Sequence, residues 1–385
     1  KYTTKAEILH YMSQVEDYFK RQYLTEEITT CINTSESFED LQMKVAATVE
    51  GVQTAVETFD SFSPVLYSDV IKRPFTEGIK TGIYPIDSLT NGFQPSTVAT
   101  IGAFTGEGKT TTWISIIYKN AMLGKKCVYM SLEMPPEQIW MMLQARYMYE
   151  KGVQVTTTDL LQRKLTGDNL EKVNKLESEY IRQIANNVLI VDSSVLDQGC
   201  YTSSRFWTNL YKKFEAKLGG LDLVVHDHIG QYERLFENKG NTIIKLILDA
   251  TVLYRNGNGV GVVSGFACQA NREGKKRADR NGGLYDKSAV SDLNECERAS
   301  AYLVFLYTPP DRIIVQETVV SMAKHRFGSI LSEPTPVAFV PSVCTVGSTV
   351  EQISYSDDFS EMAGDSFDFG SSESGGFQAP SFDFD

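Results

Sequence analysis

Residues 104–111 restrict the possible folds of this chain more than any other stretch. The run Thr97–Ala103 is apolar and rich in β-branched residues, so it reads as a buried strand. It runs into Phe104–Thr105–Gly106–Glu107–Gly108–Lys109–Thr110–Thr111, and a helical stretch continues as far as Gly124. Strand, glycine-containing loop and helix, in that order, form a cradle for phosphate. Gly106 and Gly108 let the backbone curl so that successive N–H groups converge on one anion. The helix adds free donors and the positive end of its dipole. Lys109 is suited to neutralise terminal phosphate charge, and Thr110 to offer a hydroxyl to Mg²⁺. Thr105, Gly106, Glu107, Gly108, Lys109, Thr110 and Thr111 are therefore the expected nucleotide-binding residues. Ala103 stands where the usual pattern opens with Gly, but the phosphate-facing end is intact.

A Mg²⁺-bound nucleotide also calls for carboxylates. Leu221–His226 is an apolar strand candidate ending at Asp227, which is suited to hold the metal with Thr110. Glu133 ends a further strand candidate in Ser131–Leu132–Glu133–Met134–Pro135. Carboxyl ends of parallel strands open onto one crevice, so Glu133 and Lys109 should meet there. Glu133 is then the expected base for an attacking water. Taken singly, an acid at a strand end is a common turn former; the shared crevice is what promotes these two.

The rest of the chain divides by pattern. Residues 1–75 read as a helical N-terminal arm, with Phe38, Leu41, Val45, Val49, Val52, Val56 and Phe59 at helical spacing. Ser37 and Asp40 stand at capping-box spacing before that stripe. The stripe suits packing within its own domain or docking on a neighbouring subunit. Residues 76–348 alternate short β-rich runs with helical stretches, the pattern of a mainly parallel sheet flanked by helices. The remaining strand candidates are Cys127–Leu132, Val188–Val191, Val260–Phe266, Tyr302–Tyr307, Ile313–Ala323 and Val337–Val340. The later ones lie close enough together to form an antiparallel extension.

Residues 349–385 form a Ser, Gly, Asp and Phe-rich tail for which disorder is expected. From Glu351 onward that tail has nine acidic residues and no Lys or Arg, so the net charge of −12 misleads: the remainder carries 37 basic and 40 acidic side chains. Its Phe residues recur beside acids, which suits docking on a basic partner protein. Six scattered cysteines without a CxxC pair point to a reduced, metal-free, cytoplasmic protein. No signal pattern opens the chain, and no run of about 18 apolar residues suggests a membrane span.

With these residues in hand, the chain resembles the DnaB-type hexameric replicative helicases and the helicase half of phage primase–helicases. The ordered matches cover about two thirds of it. They are Thr81–Gly82–Ile83–Tyr84–Pro85–Ile86–Asp87, Asn91–Gly92–Phe93–Gln94–Pro95, Ser131–Leu132–Glu133–Met134–Pro135 and Asp227–His228–Ile229. Cys268–Gln269–Ala270–Asn271–Arg272, Ser291–Asp292–Leu293 and Ala323–Lys324–His325–Arg326–Phe327–Gly328 complete the series. The resemblance implies a RecA-like P-loop core that hydrolyses ATP, or another NTP, with Mg²⁺. It implies that Gln269 senses the γ phosphate. It also implies that Arg326, with Lys324, reaches the site of the next subunit in a ring. The 75 or so N-terminal residues are short for the family's separate N-terminal domain. The acidic tail looks more like that of the phage enzymes, where it recruits a polymerase.

For single-stranded DNA, two stretches stand in suitable places, Glu233–Asn241 and Arg272–Asp286. The second holds Arg272, Lys275, Lys276, Arg277 and Arg280 among glycines and reads as a mobile basic loop able to grip phosphates without reading bases. Replication proteins (polymerase, primase or loader) are the expected protein partners. A RecA-like recombinase and a nucleotide-gated replication scaffold are the alternatives, separated from a helicase by filament or ring and by unwinding.

Overall fold

The structure is a computed structural model. It describes residues 76–196, 203–236 and 239–347, and, nearer the N-terminus, residues 21, 25, 28–35, 37, 40, 41, 43–45 and 48. The chain separates into two compact units, Lys1–Thr76 and Glu77–Asp385.

In the first unit residues 28–34 are helical. Ser37 then caps a second helical stretch, its Oγ accepting the Asp40 N–H at 3.1 Å. Lys44 Nζ donates back to the Thr34 carbonyl at 3.0 Å and pairs with Asp40 at 2.7 Å. The expected cap at Ser37 thus forms. Phe38 and the stripe from Val49 to Phe59 lie outside the described residues, as does the tail 349–385.

The second unit is built on a nine-stranded sheet. Its strands are β1 (Thr97–Ala103), β2 (Cys127–Ser131), β3 (Val188–Asp192), β4 (Leu223–Asp227), β5 (Val263–Gln269), β6 (Ser300–Tyr307), β7 (Glu317–His325), β8 (Leu331–Val340) and β9 (Thr345–Gly347). The order across the sheet is β3-β2-β4-β5-β1-β6-β7-β8-β9. All neighbours from β3 to β6 pair parallel, and those from β6 to β9 pair antiparallel. The parallel strands inside the edge strand β3 are buried on both faces, hence their almost continuous apolar sequence.

Alternation along each strand sorts its residues between two cores. Ala99, Ile101, Tyr129, Val225 and Val304 face one core, packed with Trp113, Ile117, Leu143 and Tyr147. Those partners belong to α2 (Lys109–Met122) and α3 (Pro136–Glu150), which come after a first short helix, α1 (Tyr84–Thr90). Val98, Val128, Met130, Val224 and Phe266 face the other core. Two helices, α4 (Thr157–Leu161) and α5 (Gly167–Gln183), lead to β3, and α6 (Ser204–Leu218) covers the second face through Trp207 and Tyr211. After β4 come α7 (Gln231–Leu235) and α8 (Gly240–Leu253), the latter burying Ile243, Ile244 and Ile247 there. Gly265 lets α2 sit close: a Cβ there would stand 2.5 Å from the Trp113 ring.

Three sequence expectations change. The run Ile313–Ala323 is not one strand, because Pro309 and Pro310 start a short helix before β7 begins at Glu317. Second, β8 begins at Leu331 rather than Val337, and β9 was not expected. Third, the basic stretch 272–286 is not simply a loop. Its first part is α9 (Arg272–Arg280), capped by Asn271, whose side chain accepts the Gly274 N–H at 2.7 Å. The shorter α10 (Asn294–Ala299) and α11 (Pro310–Ile314) complete the set. The other expected DNA stretch, Glu233–Asn241, spans the end of α7 and the start of α8, with residues 237 and 238 outside the described set. Among the described residues no helix is long and apolar enough to cross a membrane.

Candidate functional site

The parallel register brings the carboxyl ends of β1, β2, β4 and β5 level with one another. Ala103 pairs with Gln269, and Ser131 with Asp227. The segments that leave these strand ends therefore open onto one edge of the sheet, the place where ligands bind in this architecture. A cavity of about 320 Å³ lies there. Thr105, Gly106, Gly108, Lys109, Thr110, Thr111, Glu133, Asp227 and Gln269 all contribute to its wall. The expected meeting of Glu133 with Lys109 thus occurs.

The phosphate loop turns at Gly106 and Gly108, whose φ values are +79° and +97°. Only glycine takes such values without strain. At Gly108 there is a second restriction, since a Cβ would meet the Phe339 ring at 2.6 Å. Lys109 opens α2 and folds back over the loop, Nζ donating to the carbonyls of Ala103 and Phe104, each at 3.1 Å. Burial pulls its pKa down, and the nearby Asp227 carboxylate opposes that shift. An anion at the loop would favour the charged ammonium further.

Asp227 ends β4, buried, where its Oδ2 accepts the Thr110 hydroxyl at 2.6 Å. The Tyr129 hydroxyl donates to the same oxygen. Burial, with the Asp227 charge adding to it, raises the Tyr129 pKa, so the phenol remains a proton donor. A hydroxyl and a carboxylate oxygen brought together beside a phosphate loop are hard donors and fit Mg²⁺, which keeps much of its water and substrate-phosphate shell. Glu133 is exposed just past β2, with Oε2 3.2 Å from His228 Nε2. Burial lowers the His228 pKa, while Asp227 and Glu133 act in the opposite direction.

Some expected residues are not gathered here. The Glu107 side chain leaves the cavity and turns into the protein, where Oε1 pairs with Lys275 Nζ at 2.8 Å. Its expected nucleotide role is thereby corrected to one for its backbone at most. Lys275 is corrected as well, since its ammonium is engaged by Glu107 and Asp279 instead of standing free for DNA. Arg277 pairs with Asp286 at 2.9 Å. Arg272, Lys276 and Arg280 remain on the outer side of α9.

Lys324 and Arg326 lie at the other end of the sheet. Ser300, the first residue of β6, is level with Val98 near the start of β1. The Arg326 N–H donates to the Ala301 carbonyl at 2.8 Å, so Arg326 sits beside the start of β6. The stretch of β1 from Val98 to Ala103 separates that level from the phosphate loop, about 16 Å at strand rise. Lys324 Nζ donates to the Glu297 carbonyl at 2.6 Å, and the exposed Arg326 guanidinium to the Arg298 carbonyl at 3.4 Å. Neither lines its own chain's cavity.

Tyr129, Phe339 and Pro341 line or support the site and were not singled out from the sequence, while His228 and Met134 were read only as members of matched motifs, without a role. A Tyr at the centre of a short, fully buried strand, two residues before its end, was the one available signal for Tyr129. Phe339 and Pro341 arrive through the antiparallel extension, whose pairing no local pattern gives.

Fold and site together define a RecA-like P-loop nucleotide-binding core. The family model for the DnaB-like helicase C terminal domain matches residues 78–343, and the chain belongs to that family. It is 27% identical over 267 residues to the replicative DNA helicase DnaB of Haemophilus influenzae, covering 67% of this chain and 52% of that protein. With the replicative DNA helicase DnaB of Buchnera aphidicola subsp. Schizaphis graminum it shares 26% identity over 234 residues, 60% of this chain and 46% of the relative. The chain thus spans about half the length of the curated relatives it matches. Among solved structures, a DnaB-like replicative helicase described with its interactions with primase superposes with a TM-score of 0.63 at 17% identity. That match covers 90% of this chain and 80% of the other. A second solved structure, an ATPase domain, gives 0.51 at 17% identity, covering 78% of this chain and 98% of the other. At such identities the two structures speak for the fold alone.

Proposed function

We propose that this chain is the motor of a replicative DNA helicase. In this reading it assembles as a ring, a hexamer, hydrolyses ATP or another NTP at subunit boundaries and moves along single-stranded DNA. The observation that carries the proposal is the division of the expected catalytic groups. Lys109, Thr110, Glu133, Asp227 and Gln269 share one cavity, while Lys324 and Arg326 are turned away from it at the far end of the strands. Family membership and the replicative helicases among its relatives support the same reading.

Each residue has its part in the work. Backbone N–H groups from Thr105 to Thr111 hold the phosphates, and Lys109 exchanges its loop carbonyls for phosphate oxygens. Thr110 and Asp227 would hold Mg²⁺, which neutralises charge on the phosphate oxygens. Tyr129 keeps the Asp227 carboxylate oriented. Glu133 orients a water and takes its proton as the water oxygen bonds to the γ phosphorus and the bond to the departing diphosphate breaks. His228 holds the Glu133 carboxylate in place. Arg326 and Lys324 of the neighbouring subunit stabilise the charge on the transferred group. Gln269 ends β5 shortly before α9, so loss of the γ phosphate would be passed to Arg272, Lys276 and Arg280.

Residues 76–348 form the motor in this proposal, 1–75 an arm for subunit contact, and 349–385 an acidic tail that docks a polymerase, primase or loader. The setting is the cytoplasm of a bacterium, with a phage gene as one source. The test is NTP hydrolysis with and without single-stranded DNA, beside unwinding of a forked duplex, with Lys109→Ala as the control. DNA-stimulated hydrolysis and unwinding, both lost in the control, are expected. Hydrolysis without unwinding would overturn the helicase reading in favour of a recombinase or scaffold.

A further inference from the structure

Glu107 lies between the two turning glycines of the phosphate loop, and its carboxylate is buried at 4% exposure without facing the nucleotide cavity. Three groups hold it there. The Phe104 N–H donates to Oε2 at 3.1 Å, the Tyr285 hydroxyl donates to Oε2 at 2.9 Å, and Lys275 Nζ pairs with Oε1 at 2.8 Å. Two of the three come from the same segment, Lys275 on α9 and Tyr285 shortly after it.

Lys275 is fixed from its other side too. It pairs with Asp279 at 2.7 Å and stands 4.1 Å over the Tyr307 ring, whose hydroxyl donates to Asp279 at 3.0 Å. Gly274, one residue before it, packs so closely on Ala289 that a Cβ would stand 2.6 Å from the Ala289 Cβ. The helix therefore has an inward face tied to the phosphate loop. Its outward face carries Arg272, Lys276 and Arg280, four residues apart and so in one row.

Separating Glu107 from Lys275 would leave a buried carboxylate with hydrogen bonds but no counter-charge, which is unfavourable. The helix and the loop are accordingly expected to shift as one body. Phosphate contact needs only the backbone at position 107, so the buried carboxylate has no role in the cavity itself.

We infer that the Glu107–Lys275 ion pair is a positioning link, through which a single strand seated on Arg272, Lys276 and Arg280 alters the phosphate loop's affinity for nucleotide. The inference rests on the DNA-facing reading of α9 proposed above. Linkage makes it reciprocal: nucleotide changes DNA affinity by the same factor as DNA changes nucleotide affinity.

The experiment uses the full chain, Mg²⁺, a non-hydrolysable ATP analogue and saturating oligo-dT. The quantity read is the ratio of the nucleotide Kd without DNA to that with DNA. For the unsubstituted chain this coupling factor should depart from unity by about 5- to 150-fold. In Lys275→Gln and in Glu107→Gln it should move at least about threefold toward unity. The double variant, which removes both charges and leaves neither partner stranded, should lose no more than either single one. A purely structural defect would weaken nucleotide binding in both conditions and leave the ratio unchanged. Folded variants that keep the ratio, or losses that add in the double variant, would overturn the link alone. No response to oligo-dT in the unsubstituted chain would overturn the DNA-facing reading of α9 and the link with it.

Discussion

The two ends of the central sheet place opposite charges beside a partly buried lysine. At the carboxyl ends of β1, β2, β4 and β5 the polar groups are already engaged: Thr110 and Tyr129 both donate to Asp227, and Lys109 is held by two carbonyls. Next to the start of β6, Arg326 is exposed and Lys324 half-buried, and both donate to backbone carbonyls of α10. Burial lowers the Lys324 pKa, and its neighbour Arg326 adds to that shift, so an incoming anion would relieve both charges. One end sets the Asp227 carboxylate beside its lysine, and the other sets a second cation beside its own. In the proposed reading the difference means that each chain carries two complementary half-sites, which its own fold keeps apart.

Substitutions at the two ends should separate these roles. The largest effect is expected from Arg326→Ala, a fall of about 10³ to 10⁵ in DNA-stimulated kcat. The fold should be retained, because the guanidinium reaches only a surface carbonyl. Steady-state hydrolysis beside circular dichroism checks this, and a near-normal kcat would remove the far end from the mechanism. Glu133→Gln should lower single-turnover hydrolysis by about 10² to 10⁴. Nucleotide affinity by titration should persist, since Glu133 is proposed to act on water rather than on the phosphates.

A smaller change is expected from Tyr129→Phe, which removes one of the two hydroxyl donors on Asp227 Oδ2. The Mg²⁺ concentration needed for half-maximal hydrolysis should rise about 10- to 100-fold. An unchanged Mg²⁺ dependence would show that Tyr129 only fills space. The smallest effect belongs to Lys276→Ala on the outward row of α9. The slope of log affinity for single-stranded DNA against log salt should become shallower by about 0.7, one phosphate contact. A slope that stays the same would place the strand elsewhere.

The nucleotide end was largely legible in the sequence because its parts are local. A strand, a glycine turn and a helix start within residues 97–111 specify both the loop and the direction of Lys109. The acids Asp227 and Glu133 could be assigned because a parallel register aligns strand ends once the strands are known. What was not legible depends on contacts far apart in sequence. Tyr129 meets Asp227, and Phe339 meets Gly108, only after the sheet is assembled. The β-branched run at 313–315 imitated a strand, yet Ile313, Ile314 and Val315 are exposed at 41%, 82% and 60%. The paired prolines before them start a helix, and the chain turns at Gln316 with φ +56° before entering β7. On α9 the glycines suggested a loop. Gly274 instead supplies close packing against Ala289, and the cap at Asn271 helps to offset its helix penalty.

Mixing two inactive variants tests the shared site most directly. Lys109→Ala retains the outward cations, and Arg326→Ala retains the phosphate loop. Each should be inactive alone. After equal mixing, with subunit exchange verified by native mass spectrometry, about a quarter of the boundaries would join an intact loop to an intact Arg326. The account predicts that DNA-stimulated hydrolysis returns to about that fraction of the unsubstituted rate. Mixed assemblies that stay as inactive as either variant alone would contradict it.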